Sequence, residues 1–248
     1  MTPGEIALVA AAGLAAGASN TIVGAGSLIT FPTLLALGLP PVVANVTNTV
    51  GLVPGSISGV LGYRPELRGQ GGRMRLVLPA AALGGLSGAA LLLLLPGSTF
   101  ELVVPYLILV AVGLVAFQGR IAAAVRPAAT HDAPRLAVVF VYLAAIYGGY
   151  FGAAQGVILV ALLGLALPDA LQRTNAAKNL VAVVVNGVAA ALFVFVAAIR
   201  WDVVLPLSLG AVAGGVLGAR VGRRLRPAVL RAVIIVVGTL VAGRMLLG

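Results

Sequence analysis

Two apolar runs in this chain are broken in the same way, first by glycine and then by proline, 128 positions apart. Gly24-Ala25-Gly26-Ser27 leads through Leu34-Leu35-Ala36-Leu37-Gly38-Leu39 to Pro40, and Gly152-Ala153-Ala154-Gln155 leads through Leu162-Leu163-Gly164-Leu165-Ala166-Leu167 to Pro168. A helix interrupted in hydrocarbon leaves backbone N–H and C=O groups without partners, which is tolerated only where protein or a water-lined cavity covers them. Duplicated interruptions of this kind point to the substrate site of a transporter built from two repeats.

The hydrocarbon setting follows from composition. Of 248 residues, 61% are hydrophobic and 9% charged, with a mean hydropathy of +1.15. A soluble domain carries about a quarter charged residues. The runs lack the alternation of lipid-facing strands, so the fold expected is all-α, a polytopic membrane protein. The first residues carry no basic group ahead of the first apolar run, which predicts that this run persists as a helix. With no cysteine there is no disulfide framework and no thiolate chemistry. The net charge of +10 resides in arginine-rich connections between apolar runs, which reads as an orientation signal and not as a nucleic-acid surface.

Apolar segments fall near 5–22, 27–38, 42–62, 76–95, 100–119, 136–151, 156–167, 171–199, 203–222 and 227–247. A spanning helix needs about 20 residues. Segments 27–38 and 156–167 are therefore half-helices, re-entrant pieces or short crossings. Three connections hold arginine clusters: Arg64, Arg68, Arg73 and Arg75; Arg120, Arg126 and Arg135; and Arg220, Arg223, Arg224 and Arg226. If both short segments count as crossings, the three clusters share one side and both termini the other. Five crossings per half then invert the second repeat relative to the first. The favoured organisation is an inverted five-plus-five arrangement, with repeats at 1–125 and 126–248 forming one transport unit and the arginine loops cytoplasmic. The alternative is eight spans plus two re-entrant segments. At the 128-residue offset, Thr47 pairs with Asn175 and Ser58 with Asn186, while Lys178 faces Val50 and Asn179 faces Gly51.

Lys178 is the single lysine, and it lies about two turns into an apolar segment. A cation at bilayer depth costs about 2.5–3.5 kcal/mol on insertion scales, so it should face a cavity, a partner or a substrate; snorkelling is the competing reading. Asn175, Asn179 and Asn186 share one helix face within about 40°, with Lys178 alongside and Gln172 nearer the helix start. In the first half Thr47, Asn45 and Asn48 supply a similar polar lining. Interhelical hydrogen bonding is the plainer account of these amides. No carboxylate falls inside a span, so an amide- and hydroxyl-lined cavity with one ammonium selects anions. Backbone N–H groups at the breaks, Gly24, Gly26, Ser27 and Gly156 among them, add partial positive charge. Tyr147 and Tyr150 read as packing beside the second break, and His131 as a solvated loop residue. No metal-ligand spacing, phosphate loop, dinucleotide fingerprint or nucleophile triad is present, so neither an enzyme nor a cofactor is expected.

These stretches resemble the TauE/SafE sulfite exporter family, also described as toluene sulfonate uptake permeases. The likeness lies in Gly24-Ala25-Gly26-Ser27-Leu28, Phe31-Pro32, Gly38-Leu39-Pro40-Pro41 and Ala44-Asn45-Val46-Thr47-Asn48, then in Tyr147 to Gly156 and Gln172 to Asn179. The chain departs from the family pattern at Ser27, where glycine is common, and at Ala154 and Gln155 within the second glycine run. The resemblance implies a carrier of sulfite, thiosulfate, sulfonate or sulfoacetate in a bacterial inner membrane, with the lipid bilayer as its surroundings and homo-oligomerisation open. The reading is then a secondary transporter working by alternating access. Gly24, Gly26, Ser27, Thr47, Asn48, Gln155, Gly156, Asn175, Lys178 and Asn179 would form the anion site. A passive anion channel with the same lining, and a scaffold without transport, are the other classes.

Overall fold

The computed structural model describes residues 1–125, 133–221 and 228–247, and all regular structure among them is helical. In chain order the helices are α1 (Pro3–Ile22), α2 (Ser27–Ala36), α3 (Pro41–Gly62), α4 (Arg64–Leu67), α5 (Gly71–Leu94), α6 (Gly97–Val125), α7 (Pro134–Tyr150), α8 (Gln155–Ala166), α9 (Leu171–Val196), α10 (Trp201–Val221) and α11 (Ala228–Leu247). Local chemistry sets several boundaries. Thr2 and Glu5 form a reciprocal capping box on α1, and proline opens α1, α3 and α7 where its missing N–H costs nothing.

Among the described residues α1, α5, α6, α9 and α10 are long and apolar enough to cross a membrane. Helix α3 has 22 residues but is diluted by Asn45, Thr47, Asn48, Thr49, Ser56 and Ser58. Helices α2 and α8 have 10 and 12 residues. At 1.5 Å per residue each spans roughly half of a ~30 Å hydrocarbon core. The chain turns before α2 at Gly24 (φ +86°) and before α8 at Gly152 (φ +75°).

The halves interleave. Helix α10 runs parallel to α1 and α3: Gly13 lies against Leu207 and Gly17 against Ala211, while Gly51, Gly55 and Gly62 face Leu207, Ala211 and Ala219. Helix α5 does the same for the second half. Gly84 and Gly88 press on the α7 backbone at Tyr142 and Ile146, and Gly85 presses on Val185 of α9. In α10 the matching glycines are Gly214 and Gly218, against Leu14 and Ala18 of α1, and Gly215, against Gly55 and Ser58 of α3. Without side chains at these points the helices close to backbone contact, the packing that replaces the hydrophobic effect inside a bilayer. Helices α3 and α9 run oppositely. The Arg200 N–H, just past the end of α9, donates to Thr47 Oγ1 in the first half of α3 (3.2 Å), whereas Gln70 Nε2, in the connection that follows α3 and α4, donates to the Arg173 carbonyl near the start of α9 (3.2 Å).

The helix starts suggest a second residue pairing between the halves, beside the one expected. The offset of 128 holds for α1 with α7 and for the two breaks. Beyond Pro168, however, Asp169 and Ala170 precede α9, whereas α3 starts directly after Pro40. From there the matching positions lie 130 apart. Asn45 pairs with Asn175 in place of Thr47, and Ser56 with Asn186 in place of Ser58; Asn48 stands opposite Lys178 and Thr49 opposite Asn179. Asn45 and Asn175 do equivalent work: Asn45 Nδ2 donates to the Tyr150 carbonyl in the last turn of α7 (2.9 Å), and Asn175 Nδ2 to the Thr21 carbonyl in the last turn of α1 (3.2 Å).

Arg64, Arg68, Arg73, Arg75, Arg135, Arg173 and Arg220 gather at the end of the bundle where α3 and α10 finish and α5, α7 and α9 begin. Asp169 ties two of them, bonding Arg73 Nη1 at 2.6 Å and Arg173 Nε at 3.2 Å. Arg126, His131, Asp132, Arg223, Arg224 and Arg226 lie outside the described residues.

A bulky residue in a glycine seam should separate α1 from α10. A Cβ at Gly210 would stand 2.0 Å from the Ala10 carbonyl, whereas one at Gly113 meets nothing within 4 Å. Gly210→Leu is expected to cost more than about 2 kcal/mol and Gly113→Ala essentially nothing. The comparison is read from thermal unfolding of the detergent-solubilised protein.

Candidate functional site

The two breaks touch. The Gly156 N–H donates to the Gly24 carbonyl at 3.1 Å, and a Cβ on Gly24 would lie 2.3 Å from the Gly156 Cα. A Cβ on Gly156 would lie 2.4 Å from the Gly24 Cα, so each glycine excludes a side chain on the other. Ala154, which precedes α8, adopts the left-handed region at φ +55°, a conformation that costs an L-residue about 1–2 kcal/mol.

Around this contact the polar stripe of α9 turns toward the end of α1. Lys178 Nζ donates to the Asn20 carbonyl at 2.8 Å, and Asn179 Nδ2 joins Asn175 on the Thr21 carbonyl at 3.3 Å. These carbonyls lack intrahelical donors because the helix stops. Lys178 is 1% exposed, which places its ammonium inside the bundle and not at the lipid interface.

A small cavity of about 30 Å³ opens beside the contact, enough for a water or two. Six of the expected residues line it: Gly24, Ser27, Gln155, Gly156, Lys178 and Asn179. Asn20, Thr21, Ser56, Gly152, Ala182 and Asn186 complete the wall. Ser56 and Asn186 are the pair that the 130-residue register brings together. Gln155 is 2% exposed, and its Nε2 finds no acceptor in the protein. Its amide packs over Gly148, where a Cβ would come within 2.2 Å of Nε2.

The other four expected residues stand off the cavity. Gly26 gives its N–H to Asn20 Oδ1 at 2.7 Å, which holds the turn before α2. Thr47 accepts the Arg200 N–H, Asn48 Oδ1 accepts the Thr30 hydroxyl, and Asn175 serves the α1 carbonyl. The Gly156 N–H, expected to face the ligand, is likewise engaged within the protein. Tyr147 donates its hydroxyl to the Ala153 carbonyl at 2.6 Å and so braces the second break.

The polar lining comes from Lys178, three asparagines, a glutamine, two serines and Thr21, with no carboxylate. Carboxylates among the described residues occupy connections or the first five residues of their helices. Such a lining can surround an oxyanion with charge-assisted hydrogen bonds.

Two glycine-to-alanine changes separate backbone strain from contact. Gly24 (φ +86°) meets Gly156, whereas Gly38 (φ +80°) meets nothing within 4 Å. Gly38→Ala should cost about 1–2 kcal/mol from the left-handed backbone alone, and Gly24→Ala about 1–3 kcal/mol beyond that. Thermal unfolding in detergent measures both.

The family model for "Sulfite exporter TauE/SafE" matches residues 9–245. Among curated proteins the chain is 28% identical over 251 residues to a "Probable membrane transporter protein" of Haemophilus influenzae, covering 97% of this chain and 94% of that one. It is 28% identical to "Probable membrane transporter protein ORF9" of Sinorhizobium sp, covering 97% and 92%, and 24% identical to "Probable membrane transporter protein YfcA" of Escherichia coli K12, covering 93% and 86%. No solved structure gives a significant match. With its apolar helices and a family match over nearly its whole length, the chain is a multi-pass membrane protein that belongs to the sulfite exporter TauE/SafE family of membrane transporters.

Proposed function

We propose that this protein is a secondary transporter that carries a small sulfur-containing oxyanion of the sulfite, thiosulfate, sulfonate or sulfoacetate type across the bacterial inner membrane by alternating access. The observation that carries this reading is the cavity at the meeting of the two breaks, with Lys178 and the unpartnered Gln155 amide in its wall. A buried ammonium costs about 2.5–3.5 kcal/mol in a span, and an anion beside it offsets that cost. The family's name supports a sulfite-type substrate. The cavity is narrow, so a substrate larger than a few heavy atoms requires the walls to part.

In this reading residues 1–125 and 126–248 are inverted repeats of one transport unit, an arrangement supported by the opposed directions of α3 and α9. Side chains pack together toward both ends of the bundle. At the arginine end Asp169 clasps Arg73 and Arg173. Toward the other end Phe31, Phe100, Tyr150 and Phe151 pack edge to face with centroids 5.3–6.5 Å apart. The narrowness of the cavity, about 30 Å³, favours alternating access over an open anion pore. The arginine end is cytoplasmic by the positive-inside rule.

Sulfite flux into proteoliposomes tests the reading. Wild-type flux should saturate, and Lys178→Ala and Gln155→Leu should each lower the flux at subsaturating sulfite by about tenfold or more. Undiminished transport by the correctly inserted variants removes both residues from the site, and flux linear in substrate indicates a channel. Because the chain has no cysteine, Arg64→Cys, at an exposed position of the arginine end, reports orientation directly. It should react with a membrane-impermeant maleimide in inside-out vesicles and not in intact cells.

A further inference from the structure

The end of α1 gathers donors from several directions. A helix leaves its last four carbonyls without intrahelical partners, and they carry the negative end of its dipole. The Ser19 carbonyl takes the N–H groups of Val23 and Gly24. Those of Asn20 and Thr21 are supplied from α9, with Lys178 Nζ donating to Asn20. The second break shows a neutral version of the same junction. There the Tyr147 carbonyl takes the N–H groups of Phe151 and Gly152, and Asn45 serves Tyr150. The position matching Lys178 is Asn48, which turns instead to Thr30. A cation is therefore not needed to end a helix here, yet one is buried at the first break.

Carbonyl ends of broken helices are where secondary transporters coordinate a coupling cation beside the substrate. We propose that the Lys178 ammonium is a tethered substitute for such a cation: it fills the carbonyl end of α1 and faces the cavity, so the anion binds without sodium or another monovalent cation. An ammonium has three N–H donors, so one bond to Asn20 leaves capacity for a ligand. The stem of the side chain packs near Gly156, where a Cβ would meet Lys178 Cδ at 3.0 Å. Removing that stem opens a path the shape of an alkylammonium ion to the same carbonyls. The proposal builds on the anion reading of the cavity, but the carbonyl end can be probed with no anion ligand present.

The experiment compares thermal unfolding of the full-length wild type, Lys178→Gly, Lys178→Ser and Lys178→Met in detergent, in gluconate salts of sodium, propylammonium or N-methylglucamine. Wild type and Lys178→Met, whose side chain fills the space without charge, should unfold alike in all three. Lys178→Gly and Lys178→Ser should be stabilised saturably by sodium or propylammonium. A second arm titrates sulfite. Wild-type affinity should be independent of sodium, whereas Lys178→Gly should bind about thirtyfold more weakly and recover with the same cations. The proposal is overturned if sodium saturably stabilises the wild type or is required for its sulfite binding, or if the folded glycine and serine variants respond to neither cation. If the cation arm behaves as expected while the wild type binds neither sulfite nor a short sulfonate, the anion reading fails and the tethered cation stands.

Discussion

A helix that stops inside hydrocarbon must find donors for its last carbonyls and acceptors for the N–H groups that follow, because no water is there to supply them. That constraint organises the centre of this protein. The end of α1 is answered by Lys178, Asn175 and Asn179, and the end of α7 by Asn45. The N–H that opens toward α2 at Gly26 is taken by Asn20 Oδ1, and that of Gly156 by the Gly24 carbonyl. Most polar groups at the crossing are thereby neutralised internally. Ser19 Oγ and Asn45 Oδ1 are left without partners away from the cavity, whereas the Gln155 amide and the spare N–H donors of Lys178 belong to its wall and point to a ligand more sharply than the polar residues as a class.

Glycine makes that crossing geometrically feasible. At Gly24 it supplies a left-handed backbone and the space for Gly156; in α5 and α10 it brings helix axes close enough for backbone to meet backbone. The close seams also set the register of the walls, because Gly85 fixes α5 on α9 just as Gly215 fixes α10 on α3. Ser56 and Asn186 reach the cavity from opposite helices as a result.

Much of this was legible in the amino-acid sequence because the informative residues are loud against leucine and alanine. Two glycine breaks, one lysine and a row of asparagines at helical spacing stand out, and the structure places the breaks in contact with Lys178 beside them. The pairing of halves beyond Pro168 was not legible. In a Leu- and Ala-rich background a shift of two residues changes almost nothing in the hydrophobic pattern, so Pro40 and Pro168 anchor one alignment and the starts of α3 and α9 another, two residues away. Thr47, Asn48 and Asn175 read as cavity residues because polarity inside a span looks the same whether it serves a ligand or a helix end. Asn20 and Thr21 were overlooked although Ser19-Asn20-Thr21 closes the first apolar run, where a broken helix must expose its carbonyls. The glycine pattern at 84, 85 and 88 recurs at 214, 215 and 218 and would have revealed the 130-residue register. Gln155 lying over Gly148 depends on tertiary packing that no linear pattern records.

The interleaving of α5 and α10 also decides which parts of the molecule can shift as bodies. In chain order α10 is a second-half helix, yet its tight seams are with α1 and α3; α5 lies in the first half and is locked to α7 and α9. A cleft forming between two packed groups would then divide α1, α3 and α10 from α5, α7 and α9, each a mixture of both halves of the chain. Asn20, Thr21 and Ser56 lie on one lip of that division and Lys178, Asn179 and Asn186 on the other. Chain order and packing thus partition this protein along different lines, and the cavity sits on the packing one.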